Sequence, residues 1–448
     1  MKNANSKLQV KLDWFSVWQF ALSTLAVFFL LSSAFGMVML ALTSLFEMDT
    51  GAEPLLFLMM AAGMIAAGLL VLPSAGYAFL RILGRQVERP ENLSYGLKPI
   101  FVILLLPFTL LLGYLVIDVP TLSWLFIPTL HVLAIGLPVF CVLYLGIRDL
   151  PIGSAQRRWG VFSSGLVLGP MVILAMETLA LIGFVILGAF IIADQPELIE
   201  ELTNLVEWMS VSGPDPDVFL DRLGPYLTRP GVIYAVLAFG ALIVPIIEEA
   251  FKPIGVWLLI GRNISPVEGF TAGALSGAGY ALFESLAIST SSEDWIMLVV
   301  ARVGTAMIHV LTTALMGWVL ALAWGRNRYL NLGITYLGVI LIHGIWNGLT
   351  LLNSFTLIAE ELGVDASNIP LPGLASATPY ILAVMAVTAL LSLIVINRRF
   401  AKSSIKRATN VELQDSSDNS KKEQILPDSE PVQLNGLEGE ALNDGGTD

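Results

Sequence analysis

Cysteine is almost absent from this sequence: Cys141 stands alone in 448 residues, which excludes a disulfide-bonded scaffold. Charge is scarce as well. Asp, Glu, Lys and Arg make up 13% of the chain, against about 25% in soluble domains. Basic residues are the scarcer sign, 24 against 36 acidic, and the net charge of −12 is wrong for a nucleic-acid partner. Histidine occurs only three times, so the place of each matters. Apolar residues fill the rest, 56% of the chain at a mean hydropathy of +0.77. No water-soluble core hides so much apolar surface, and the lipid bilayer is the expected surrounding.

A helix that crosses a bilayer needs about 20 mostly apolar residues. That criterion places spans near 15–45, 55–80, 99–117, 124–146, 161–193, 231–260, 267–290, 296–324, 332–352 and 379–397. The expectation is therefore an all-α polytopic membrane protein of about ten transmembrane helices. Loop charge sets its orientation, because Lys and Arg collect on the cytoplasmic side. Arg81, Arg85, Arg148, Arg157, Arg158, Arg262, Arg326, Arg328, Arg398 and Arg399 fall in one alternate set of loops. Glu47, Asp49, Asp118, Glu293, Asp294, Glu360 and Glu361 fall in the other. Both termini are thus expected in the cytoplasm.

Polarity divides the chain. Residues 1–230 read as a five-span N-terminal region ending in an extracytoplasmic loop, 194–230, with eight acids and two arginines. The five prolines of that loop argue for short or broken structure. Residues 231–397 hold the polar membrane core, with its motifs at 248–347, and the last span. Residues 398–448 read as a cytoplasmic, disordered acidic tail, since 409–448 alone carry ten acids and two lysines.

Ionisable side chains in the bilayer core cost at least about 2.5–3.5 kcal/mol each, so each asks for a reason. The last five spans collect several: Glu248, Glu249 and Lys252, then Glu284, then Arg302 and His309, then His343, with the polar Asn347 one turn on. At about 1.5 Å of rise per residue, the carboxylates and imidazoles fall in one layer, about 18–26 Å from the cytoplasmic helix ends. They also share helix faces. Gly273, Gly277, Tyr280 and Glu284 form one stripe, and Gly269, Gly273 and Gly277 a small-residue seam that lets helices approach closely. Glu248 and Lys252 are i,i+4, which predicts one paired acid beside a free one. Lys252-Pro253 predicts a break in its helix.

Two histidines and a carboxylate form a common catalytic zinc set, with a second carboxylate as general base. A buried glutamate activating water without metal uses the same groups. Asn347 suits an oxyanion donor in either scheme. HExxH and GxSxG are absent, and so is any paired-aspartate motif of YD/GxGD type.

Taken in order, Glu248-Glu249-x-x-Lys252, Gly279-Tyr280-x-x-x-Glu284, Arg302 with His309, and His343-x-x-Trp346-Asn347 resemble the PrsW family. The resemblance covers about 231–352 and extends to the wider group of CAAX prenyl proteases and APH-1. It implies an intramembrane protease acting on membrane-anchored proteins, anti-sigma factors among them, in a bacterial plasma membrane. It implies that Glu248 and Glu249 bind metal or activate water, and that Glu284, His309, His343 and Asn347 complete the site. Glu284, His309 and His343 are then the metal ligands if zinc is the cofactor. Lys252 and Arg302 are expected as ion-pair partners, Arg302 for Glu284. His131 and Trp346 read as structural, and Glu177 matches no motif. Two other classes use similar residues: a proton- or ion-coupled transporter, and a catalytically inactive APH-1-like scaffold.

Overall fold

A computed structural model describes residues 13–46, 54–85, 99–211, 216–288, 290, 294–363, 370 and 372–424. Sixteen α-helices follow in order: α1 (Trp14–Phe46), α2 (Pro54–Ile82), α3 (Pro99–Val116), α4 (Pro120–Ile147), α5 (Ala155–Ser163), α6 (Gly169–Ile192), α7 (Pro196–Val211) and α8 (Pro216–Leu227), then α9 (Pro230–Ala238), α10 (Val244–Phe251), α11 (Ile254–Trp257), α12 (Pro266–Ala287), α13 (Trp295–Arg326), α14 (Tyr329–Glu361), α15 (Pro372–Ala375) and α16 (Thr378–Gln424). Half of them open on proline, whose missing N–H costs nothing in a first turn. No strand occurs among the described residues.

Eight helical stretches are long and apolar enough to cross a membrane. The other two expected spans correspond to α3 and α12. The apolar part of α3 is short, Leu104–Val116. In α12 the reason is composition. Its 22 residues are rich in Gly, Ala and Ser, and every residue from Gly269 to Leu282 is buried. Lipid is not its neighbour; α13, α4, α5 and α11 are.

The α12–α13 seam is backbone against backbone. A Cβ on Gly317 would stand 2.2 Å from the Gly269 carbonyl oxygen, and one on Gly273 would stand 2.3 Å from that of Thr313. One turn on, a Cβ on Gly277 would lie 2.8 Å from the His309 carbonyl oxygen. In lipid no hydrophobic force drives such helices together, so close packing of small residues has to. Ser265 starts α12 with a reciprocal cap: its Oγ accepts from Glu268 N–H at 3.2 Å, and Glu268 Oε2 accepts from Ser265 N–H at 2.9 Å. Arg157 Nη1 donates to the other Glu268 oxygen at 2.9 Å, tying α5 to this helix.

Two long crossings are irregular where they pass α12 and α14. A π-helical turn, Ser164–Leu168, joins α5 to α6, and another, Phe239–Ile243, joins α9 to α10. The expected break occurs as well: α10 stops at Phe251 and α11 restarts at Ile254 after Pro253. The 194–230 segment contains two helices, α7 and α8, both opened by proline.

Contacts divide the chain into a helical body, 1–400, and residues 401–448. The segment expected to be disordered continues α16 as helix as far as Gln424. Residues 425–448, the rest of the expected acidic tail, lie outside the described residues, as do Glu47, Asp49 and Glu293.

Candidate active site

Four helices deliver the polar groups. The C-terminal end of α10 brings Glu248 and Glu249, and Lys252 follows at the break. The last turn of α12 brings Glu284, the middle of α13 brings Arg302 and His309, and α14 brings His343. Glu249 and Lys252 are fully buried, and Glu248, His309 and His343 nearly so.

Lys252 Nζ stands at the centre. It donates to Glu249 Oε1 at 3.0 Å, lies 2.9 Å from His309 Nδ1 and 3.3 Å from His343 Nδ1, and is ion-paired with Glu248 Oε2 at 2.7 Å. The i,i+4 spacing predicted one paired acid and one free one. Lys252 instead serves both, because Glu249 at i,i+3 lies on the same side of the turn. The ring of Tyr280 faces the ammonium, with Nζ 5.0 Å from its centroid.

His309 is oriented from outside. Its Nε2 lies 2.7 Å from Glu284 Oε2, and Glu284 Oε1 lies 3.0 Å from Arg302 Nη2. Arg302 Nε also donates to Ser285 Oγ at 3.1 Å. A carboxylate on the outer nitrogen fixes the tautomer, so the inner Nδ1 lone pair faces Lys252. Edge-on contacts lock the ring: its centroid is 5.3 Å from Tyr280 and 5.2 Å from His343.

Glu249 is unevenly used. Oε1 takes Lys252, Thr312 Oγ1 at 3.2 Å and His343 Nδ1 at 3.0 Å. Oε2 is buried with no hydrogen-bond partner. Glu177 on α6 was assigned no place by motif. It lies within electrostatic reach of Glu248, Lys252 and Glu284, and its Oε1 is likewise buried and unpartnered. An acid at membrane depth was the available signal for it, and no spacing joined it to the others.

Asn347 is engaged elsewhere: its Nδ2 donates to the Gly240 carbonyl at 3.0 Å. The cause is local. In the π turn the Val244 N–H is drawn to Phe239 O, and the next residue, Pro245, has no N–H to offer. Asn347→Ala should leave that carbonyl unpaired at a cost of about 1–3 kcal/mol. A thermal-unfolding midpoint equal to wild type would remove this bond from the account. His131 lies away from the cluster, where Trp295 Nε1 donates to its Nδ1 at 3.2 Å. Trp346 is buried, its ring close to Gly304 of α13.

Glu248, His309 and His343 each offer a ligand atom within 4.8 Å of the others. Glu284, expected as a ligand, instead holds the outer nitrogen of His309. The donor types suit a divalent ion, yet the spacing is wide. Ligands about 2.1 Å from a tetrahedral ion stand about 3.4 Å apart. Lys252 Nζ lies within 3.3 Å of both imidazoles and closer still to Glu248. A metal and this ammonium do not fit together.

Residues 217–396 match the family of PrsW intramembrane metalloproteases. That stretch is PrsW-like. No curated protein and no solved structure matches the chain. The PrsW-like stretch runs from α8 into α16, so it contains every residue of the cluster and excludes Glu177 and α1–α6. Three carboxylates, Glu248, Glu249 and Glu284, here meet two cations, Lys252 and Arg302. With neutral imidazoles the sum is −1. Buried ion pairs seldom stabilise a fold relative to apolar packing, and removing one partner costs about 3–5 kcal/mol. Such a cluster is explained better by chemistry than by stability.

Proposed function

We propose that this protein is an intramembrane protease that hydrolyses peptide bonds of membrane-anchored protein substrates. It crosses a bacterial plasma membrane ten times, with both termini in the cytoplasm. The observation that carries the reading is the convergence of Glu248, Glu249, Lys252, Glu284, His309 and His343 within hydrogen-bond range, inside the PrsW-like stretch.

Amide hydrolysis needs a base for water, a positive or N–H group for the developing oxyanion, and an acid for the leaving amine. Glu249 is the base, through the oxygen that no other group uses. Glu248, the less enclosed of the pair, meets the substrate side. Lys252 pairs with both carboxylates and holds them together. His343, beside both acids, carries the proton to the amine. His309 is held for its part by Glu284, and Glu284 by Arg302. The second N–H of Asn347 is the oxyanion donor. In the family description a metal would supply Lewis-acid chemistry.

The substrate is a membrane-anchored protein of the anti-sigma-factor type. Peptides released from membranes are compared between cells making the wild-type protein and cells making the Glu248→Gln/Glu249→Gln pair. One or more membrane-anchored proteins should lose a cleavage product in the variant cells. Identical peptide sets, with both proteins present at equal level, would sink the reading.

A further inference from the structure

The donor atoms that would hold a metal already hold a cation belonging to the chain. We infer that Lys252 and a divalent ion are alternative occupants of one place, and that in the folded protein Lys252 has it: a tethered ammonium stands where the family description implies a metal. The inference rests on the hydrolytic reading for its meaning, though not for its test.

Spacing is the first argument. Hydrogen-bond partners about 2.9 Å from a tetrahedral nitrogen stand about 4.7 Å apart, whereas zinc ligands stand about 3.4 Å apart. The candidate ligand atoms lie within 4.8 Å of one another, and His343 Nε2 stands 3.8 Å from Glu248 Oε2, wider than zinc ligands stand. The second argument is stoichiometry. An ammonium has three N–H donors, and four atoms already face Lys252 Nζ within 3.3 Å: Glu248 Oε2, Glu249 Oε1, His309 Nδ1 and His343 Nδ1. Nothing in that set is left to receive a dication.

Position is the third. Lys252 is anchored by its backbone as well as its side chain. Its N–H donates to the Glu248 carbonyl at 2.7 Å. Because Pro253 breaks the helix, its own carbonyl is free to accept from Ser276 Oγ on α12, at 2.6 Å. The Tyr280 ring closes the remaining side. To admit a dication at the same spot, this ammonium would have to leave a fully buried cage, and the two charges would repel strongly in apolar surroundings. A chemical consequence follows. An ammonium supplies positive charge and N–H donors but does not acidify a bound water as a dication does, so deprotonation of the attacking water falls to Glu249.

The test uses zinc and no substrate. Full-length protein in detergent is equilibrated with zinc, desalted and analysed for metal, and affinity is read by competition with a chromophoric chelator. Wild type is expected to retain less than about 0.1 zinc per chain after desalting. Lys252→Met and Lys252→Gln, both neutral and of similar reach, are expected to bind one zinc, about 100-fold or more tighter than wild type. Adding His309→Ala to either should abolish the gain. Lys252→Arg keeps the charge and should behave as wild type. Stoichiometric zinc on wild-type protein, lost on His309→Ala, would overturn the inference without any variant at Lys252. So would wild-type zinc affinity in both neutral variants, given a thermal transition that shows them folded. Neither result bears on whether the protein cleaves peptides, and unchanged membrane peptides in cells would leave the zinc measurement standing.

Discussion

Purified Glu249→Gln protein is expected to cleave a membrane-anchored substrate at less than about one-thousandth of the wild-type rate, at the upper part of what a general base contributes. Glutamine keeps the shape of the side chain and an oxygen for Thr312, so the loss isolates the proton-accepting function. It also removes one of the two acids that neutralise Lys252. Stability should therefore fall, by no more than the cost of breaking a buried pair, about 3–5 kcal/mol. Activity is accordingly compared at a temperature where both proteins are shown to be folded. Glu248 remains paired with Lys252 in the variant, so a folded protein is the expected result. A rate within tenfold of wild type would take Glu249 out of the mechanism.

The second large effect lies in the scaffold. Gly317→Val should prevent α12 and α13 from closing, because even a Cβ at this position would sit 2.2 Å from a backbone oxygen that cannot rotate away. Repulsion at that distance is relieved only by separating the helices, and α12 is packed by backbone approach along its length. Expected outcomes are loss of the cooperative thermal transition and of all cleavage. Gly188→Ala supplies the contrast: nothing lies within 4 Å of its added Cβ, and the change should be neutral or stabilising by up to about 1 kcal/mol. If Gly317→Val folds with wild-type stability, the tight seam is not what holds these helices.

Much of the site could be read from residue type and depth. Glu248, Glu249, Glu284, His309 and His343 are costly in lipid, so their presence in consecutive spans was itself the signal. The glycine seam was legible for the same kind of reason, since only small residues at that spacing let two backbones touch. What could not be read was how the groups divide their hydrogen bonds. Glu284 sits on the outer nitrogen of His309 rather than among the inner donors, and that depends on the rotation of α12 against α13. Lys252 serves two acids and two imidazoles because a proline, a serine on another helix and a tyrosine ring together fix its place. Helix periodicity carries none of that. α12 was expected as a span at 267–290 but is less apolar than the other spans, because a helix wrapped by its neighbours needs small side chains more than greasy ones. Asn347 was read for chemistry, and the π turn that takes one of its two N–H groups leaves no trace in spacing.

The gap between α10 and α11 has its exposed backbone positions closed from different directions. Ser276 binds the Lys252 carbonyl, and Trp257 Nε1 reaches back to that of Ala250 at 3.0 Å. A bend stapled in this way is a rigid elbow rather than a hinge. The lysine that emerges from it is registered to the central helix instead of to its own, and a shift of α12 along its axis would carry the ammonium with it.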